Sequence, residues 1–114
     1  MTELQGVSRF RFHPGEVAEF KRLAGECMEI ARTKDTGTLQ YEVFCSADES
    51  ESIVIERYSS SEALVEHATN LGELGAAIVA NGLLFSALLG EPSGDLRAQL
   101  AGGPIGLFTL FLSM

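Results

Sequence analysis

The 114-residue sequence predicts an α+β chain in the order β-α-β-β-α-β, with a short helix and strand added at its end. Three observations carry that prediction. Apolar and polar residues alternate in short runs near 7–13, 39–46 and 52–59, the period of strands. After recognisable helix starts, apolar residues recur at i, i+3, i+4 and i+7. Turn residues separate these runs without a linker, repeat or low-complexity stretch, so residues 1–114 read as one domain.

In chain order, VSRFRFH (7–13) alternates Arg9 and Arg11 with Phe10 and Phe12 and reads as the first strand. Pro14 suits the first position of a helix, whose apolar stripe is Val17, Phe20, Ala24, Cys27, Met28 and Ala31. That helix is expected to end near Arg32, before TKDTGT, where Gly37 is expected at positive φ. LQYEVFCS (39–46) and SIVIERYS (52–59) form a hairpin around the acidic ADESE loop. Ser59 and Glu62 have capping-box spacing, and Leu64, His67, Ala68 and Leu71 then share one helical face. Gly72 and Gly75 interrupt that face, so GELGAAIVANG reads as a second, offset helix. LLFSALLG (83–90) is a buried strand. Ser93 caps a short helix that Gly102 stops, and IGLFTLFLS is the closing strand. This order is the ferredoxin-like split β-α-β arrangement on an antiparallel sheet.

Helices in such an arrangement cover one face of the sheet. The strands nevertheless carry apolar groups on both, with Leu39, Tyr41 and Val43 expected on one face and Phe44, Val54 and Tyr58 on the other. Strands apolar on both sides need cover on both sides, so a homodimer through the open face is expected.

Composition excludes several classes of partner. With 46% hydrophobic and 21% charged residues and a net charge of −8, the chain suits a packed core and offers no basic face for nucleic acid or an anionic membrane. No apolar run approaches the roughly 20 residues that span a bilayer. Cys27 and Cys45 are too few for a disulfide scaffold and follow no leader pattern, so they are expected as free thiols in the cytoplasm. No Cys/His cluster suggests a metal, and no Gly-rich loop after a strand suggests a nucleotide cofactor.

His67 is the residue whose chemistry stands out. On an apolar helical stripe it is either a core histidine donating to a carbonyl or carboxylate, or a general base in a cavity between helices and sheet. An unperturbed pKa of about 6.5 suits the second role. Glu42 and Glu56 each sit in a strand among apolar neighbours, and the hairpin is expected to set both on one face with Phe44, Val54 and Tyr58. Such carboxylates need partners, for which Arg9, Arg11 and Arg57 are available, either as an ion-pair network or with Glu56 fixing the tautomer of His67. Tyr41, Tyr58 and Phe44 are pocket-lining or core aromatics. Asn70 and Asn81 can bond a substrate carbonyl, and Asn81-Gly82 equally stops a helix.

Four stretches together resemble the antibiotic biosynthesis monooxygenase superfamily of small dimeric α+β barrels: RFRFHPGEVAEFKRLA, GTLQYEVFCSADES, IERYSSSEALVEHATN and the tail GEPSGDLRAQLAGG. Relatives in that superfamily oxidise phenols, quinols or polyketide-derived rings with O₂ and no metal, flavin or haem, while others bind or degrade haem. The resemblance also places a histidine at the position of His67. It implies a cofactor-independent monooxygenase acting on a small phenol- or quinol-like molecule. His67 would take a proton, and Arg9 or Arg11 would stabilise negative charge. Tyr41, Phe44, Tyr58 and Asn70 would hold the substrate, with Glu42 and Glu56 in support. The alternative on the same scaffold is a non-catalytic binder of a small apolar metabolite, with His67 as its hydrogen-bond anchor. The chain has no Trp, unlike those relatives that use one in the site.

Overall fold

The structure is a computed structural model that describes residues 3–114. Its elements are β1 (Leu4–Arg11), α1 (Val17–Lys34), β2 (Thr38–Cys45), β3 (Glu51–Tyr58), α2 (Ser61–Leu71), α3 (Glu73–Val79), β4 (Leu83–Leu89), α4 (Gly94–Leu100) and β5 (Ile105–Phe108). The strands form one sheet in the order β2-β3-β1-β4-β5, antiparallel except for the parallel β4–β5 pair that α4 connects. The expected order of elements is therefore observed. Among the described residues no helix is long and apolar enough to cross a membrane.

Helices α1 to α4 lie on one face of the sheet. Phe10, Phe12 and Val54 pack against Phe20 and Ala24 of α1, with Ile78 of α3 at the margin. Leu4 and Leu88 pack against Leu96 of α4, flanked by Leu64 and Val65 of α2. Parity along the strands then decides every other position. Leu4, Gly6, Ser8 and Phe10 face the helices, so Gln5, Val7, Arg9 and Arg11 face away. The pairs Tyr41↔Glu56 and Val43↔Val54 put Tyr41, Val43, Val54, Glu56 and Tyr58 on the helical face, whereas Glu42↔Ile55 and Phe44↔Ile53 stand on the open one. Val54 and Tyr58 thus share a face with Tyr41 rather than with Phe44. Glu42 and Glu56, expected together, are on opposite sides of the sheet.

Several local expectations shift by small amounts. Pro14 lies in the turn before α1, where the Glu16 N–H bonds to the His13 carbonyl and Gly15 has φ 87°, and the helix proper starts at Val17. α1 runs on to Lys34, with Arg32 and Lys34 in the last turn, where cations suit the helix dipole. The cap of α2 is Ser60, whose hydroxyl accepts from the Ala63 N–H, one residue beyond the expected Ser59. Ser93 caps α4 as expected. Gly37 is not among the positive-φ residues. Its role is steric, because a Cβ there would lie 2.5 Å from the Ala63 Cβ. The closing strand stops at Phe108, and Leu110–Met114 lie outside the sheet and exposed.

Candidate active site

The site is assembled where α1 ends. Asp35, the residue that caps α1, takes an extended backbone (φ −74°, ψ 141°) that turns the chain under α2. Its side chain is 1% exposed and accepts hydrogen bonds from His67 Nδ1 (2.6 Å), Thr38 Oγ1 (2.6 Å) and Asn70 Nδ2 (2.8 Å). Burial pushes the Asp35 carboxyl up, but the bonds from Asn70, Thr38 and His67 outweigh it and hold the group below its ordinary range. An ionised carboxylate only accepts, so the Nδ1 of a neutral His67 carries the ring proton and Nε2 carries the free lone pair. One turn of α2 sets His67 and Asn70 at i and i+3, which is why both reach the same carboxylate.

The Nε2 edge faces a second acidic group. Glu56 Oε1 lies 3.9 Å from it, too far for a hydrogen bond, and accepts instead from the Tyr58 hydroxyl. Tyr58 and Tyr41 flank the imidazole with ring centroids at 5.4 and 5.3 Å, Tyr41 edge-on. Burial, and after it the charge of Glu56, pushes both phenols up, so each remains a proton donor. Burial also pushes the Cys27 thiol up, which keeps it neutral and inert.

Above these groups is a cavity of about 430 Å³ between the sheet and α2–α3, lined by His67, Glu56 and Tyr58 among mostly apolar or small neighbours. That volume is in the range of small-molecule sites. Its room comes from missing side chains: Gly6 on β1, opposite Glu56, and Ala68, Gly72, Gly75 and Ala76 on the helical wall. A base with a defined tautomer, next to an acid in an apolar hollow, can remove a proton from a bound hydroxyl or acidic C–H.

The predicted residues separate cleanly. His67, Glu56 and Tyr58 meet at the cavity, Tyr41 packs on the imidazole, and Asn70 bonds to Asp35. Arg9 and Arg11 do not come to it; both bind Glu51 on the open face, at 2.7 and 3.0 Å. Glu42 is exposed and accepts from Gln40, and Phe44 is half-exposed on that same face. The tautomer-fixing role expected of Glu56 falls to Asp35, which the sequence reading missed. Asp in TKDTGT looks like ordinary turn chemistry, and its only signal is its place at the end of a long helix.

Residues 7–78 match the family model described as antibiotic biosynthesis monooxygenase. The chain belongs to that family. Asp35, Glu56, Tyr58 and His67 all lie in the part that this antibiotic biosynthesis monooxygenase model covers. Solved structures agree on the fold. MupZ from Pseudomonas fluorescens is similar over 100% of this chain and 94% of its own, with a TM-score of 0.83 at 19% identity. Rv0793 from Mycobacterium tuberculosis matches over 81% of this chain and 97% of its own (TM-score 0.68, 23% identity). SnoaB from Streptomyces nogalater, a cofactor-independent oxygenase, matches over 82% of this chain and 96% of its own (TM-score 0.65, 17% identity). No curated protein matches the sequence.

Proposed function

We propose that this protein is a cofactor-independent monooxygenase acting on a small phenol- or quinol-like molecule with O₂. The observation that carries the reading is His67, held by Asp35 at 2.6 Å and lining an apolar cavity, with Nε2 on the side of Glu56. Nε2 takes a proton from the bound substrate, and the resulting anion is electron-rich enough to reduce O₂. One oxygen atom enters the product and the other leaves as water, with the substrate supplying the electrons and His67 returning the proton. The protein contributes placement, desolvation and the Glu56 carboxylate, held by the Tyr58 hydroxyl, beside the reacting group. Family membership and the likeness to SnoaB support an oxygenase. The working form in this reading is a cytoplasmic homodimer closed through the open face of the sheet, where Phe44, Phe85 and Phe108 are each about half exposed.

O₂ uptake with a panel of 1,4-quinols and hydroxylated aromatics tests this, comparing the wild type with His67→Ala at matched oligomeric state. Turnover in the wild type that falls at least ~100-fold in the variant is the expected result. Equal rates would remove His67 from the chemistry. Binding without turnover across the panel would make the protein a carrier of the same ligands.

A further inference from the structure

Two serines that this mechanism leaves unused face the same cavity. Ser8 and Ser86 are directly opposite on β1 and β4, point to the helical face, and join through their hydroxyls at 3.0 Å. Paired hydroxyls hold two O–H donors, and one bond between them uses only one. Among the described residues neither serine makes another side-chain hydrogen bond. The second donor is therefore left facing a hollow whose remaining wall is largely apolar.

The spacing along β1 sets what fits. The Glu56 carboxylate overhangs Gly6, with Oε1 3.9 Å from where a Cβ would stand. Ser8 is two residues further along the same strand face, about 7 Å away. One end of the cavity thus presents acceptors, the His67 Nε2 lone pair and the Glu56 carboxylate. The other presents a neutral donor. A ring with a hydroxyl at one end and a carbonyl at the other satisfies both, and among the described residues no Lys or Arg lines the cavity to favour a carboxylate or phosphate in that place.

We propose that Ser8 and Ser86 form a carbonyl-recognising subsite, so that the substrate is a hydroxylated aromatic ketone or quinone methide tautomer whose carbonyl is conjugated with the hydroxyl that His67 deprotonates. The inference rests on the base assignment above and adds the other end of the ligand. When the hydroxyl proton moves to Nε2, the electron pair it leaves is delocalised through the ring onto the carbonyl oxygen. The serine O–H donates to that oxygen as its charge grows, so the subsite helps the proton transfer as well as the binding.

A matched pair of probes tests it: 6-hydroxy-1-tetralone and 5,6,7,8-tetrahydro-2-naphthol, which share a skeleton and differ in the carbonyl. Calorimetric titration of the intact protein is expected to show the ketone binding about 10-fold more tightly than the deoxo compound. In a Ser8→Ala/Ser86→Ala double variant that ratio should fall to within about twofold of unity, with affinity for the tetrahydronaphthol nearly unchanged. Single variants, each keeping one hydroxyl, should retain part of the preference. The carbonyl stretch of the bound ketone should move to lower frequency in the wild type and return toward its free value in the double variant. An unchanged ratio in a folded double variant would show that the serines only satisfy each other, and absence of ketone binding by the wild type at millimolar concentration would equally overturn the subsite. Neither readout needs turnover: a ketone preference without O₂ uptake would sink the oxygenase reading and leave the subsite standing.

Discussion

Replacing Asp35 with alanine removes the acceptor of three side-chain donors at once, on His67, Thr38 and Asn70. Each hydrogen bond to a charged group contributes about 1.5–3 kcal/mol, while relief of the buried carboxylate's desolvation returns part of the sum. The net loss should resemble that of breaking a buried charged pair, about 3–5 kcal/mol. For a domain of this size that corresponds to a fall in midpoint of about 12–20 °C. Thermal and urea unfolding at fixed protomer concentration measures it. The pH dependence gives an independent check. The folded carboxyl lies below its usual value of 3.8, so the unfolded chain takes up the proton first as pH falls. The contribution of Asp35 is therefore complete at pH 7 and is lost as pH drops from 3.8 through the folded value, where wild type and variant should converge. A double-mutant cycle with His67→Ala should show a coupling of at least ~1 kcal/mol. A loss under ~1 kcal/mol at pH 7, or a gap that does not change in acid, would refute the assignment of Asp35 as the anchor of the site.

Three further outcomes follow from particular contacts. Gly37→Ala places a methyl 2.5 Å from the Ala63 Cβ and 2.8 Å from the Ser59 Oγ, so it should cost about 1–3 kcal/mol in urea unfolding by levering α2 away from Asp35. Gly75→Ala should do the opposite: its Cβ would sit 3.5 Å from the Leu71 Cβ, an ordinary contact, and the helix gains about 1 kcal/mol, read as a higher melting temperature. Phe44→Asp combined with Phe85→Asp places charges on the open face, and light scattering should then give the mass of one protomer where the wild type gives two; an unchanged assembly would move the interface elsewhere.

What was legible in the sequence was what depends on local period. Strand alternation, the Ser93 cap, the break at Gly72 and the histidine on the apolar stripe of α2 each follow from a few neighbouring residues. What was not legible depends on register between distant segments. Glu56 and Tyr58 share a face by alternation along β3, but whether Glu42 joins them turns on the register of β2 with β3, which sets Glu42 opposite Ile55. A hairpin loop of several residues leaves that register open in the sequence. The arginines are a different case. Phe10 and Phe12 are core residues, so alternation alone sends Arg9 and Arg11 to the other face, away from any site beneath the helices. Asp35 lay hidden for a third reason: a turn aspartate and a buried anchor are the same letter until α2 closes over it.

The cavity draws its walls both from the residues that the family model covers and from those that follow them. Asp35, Glu56, Tyr58 and His67 lie inside the matched residues 7–78, whereas Leu88, Leu100 and Ile105, which also line the cavity, lie beyond them, on β4, α4 and β5. The likeness to MupZ spans that second stretch too, and the likeness to SnoaB covers 82% of the chain. A change confined to the C-terminal third would therefore reshape the cavity while leaving Asp35, Glu56, Tyr58 and His67 in place. For an engineer Asn81-Gly82 is thus a natural boundary, since the cavity residues beyond it can be varied apart from the His67–Asp35 pair.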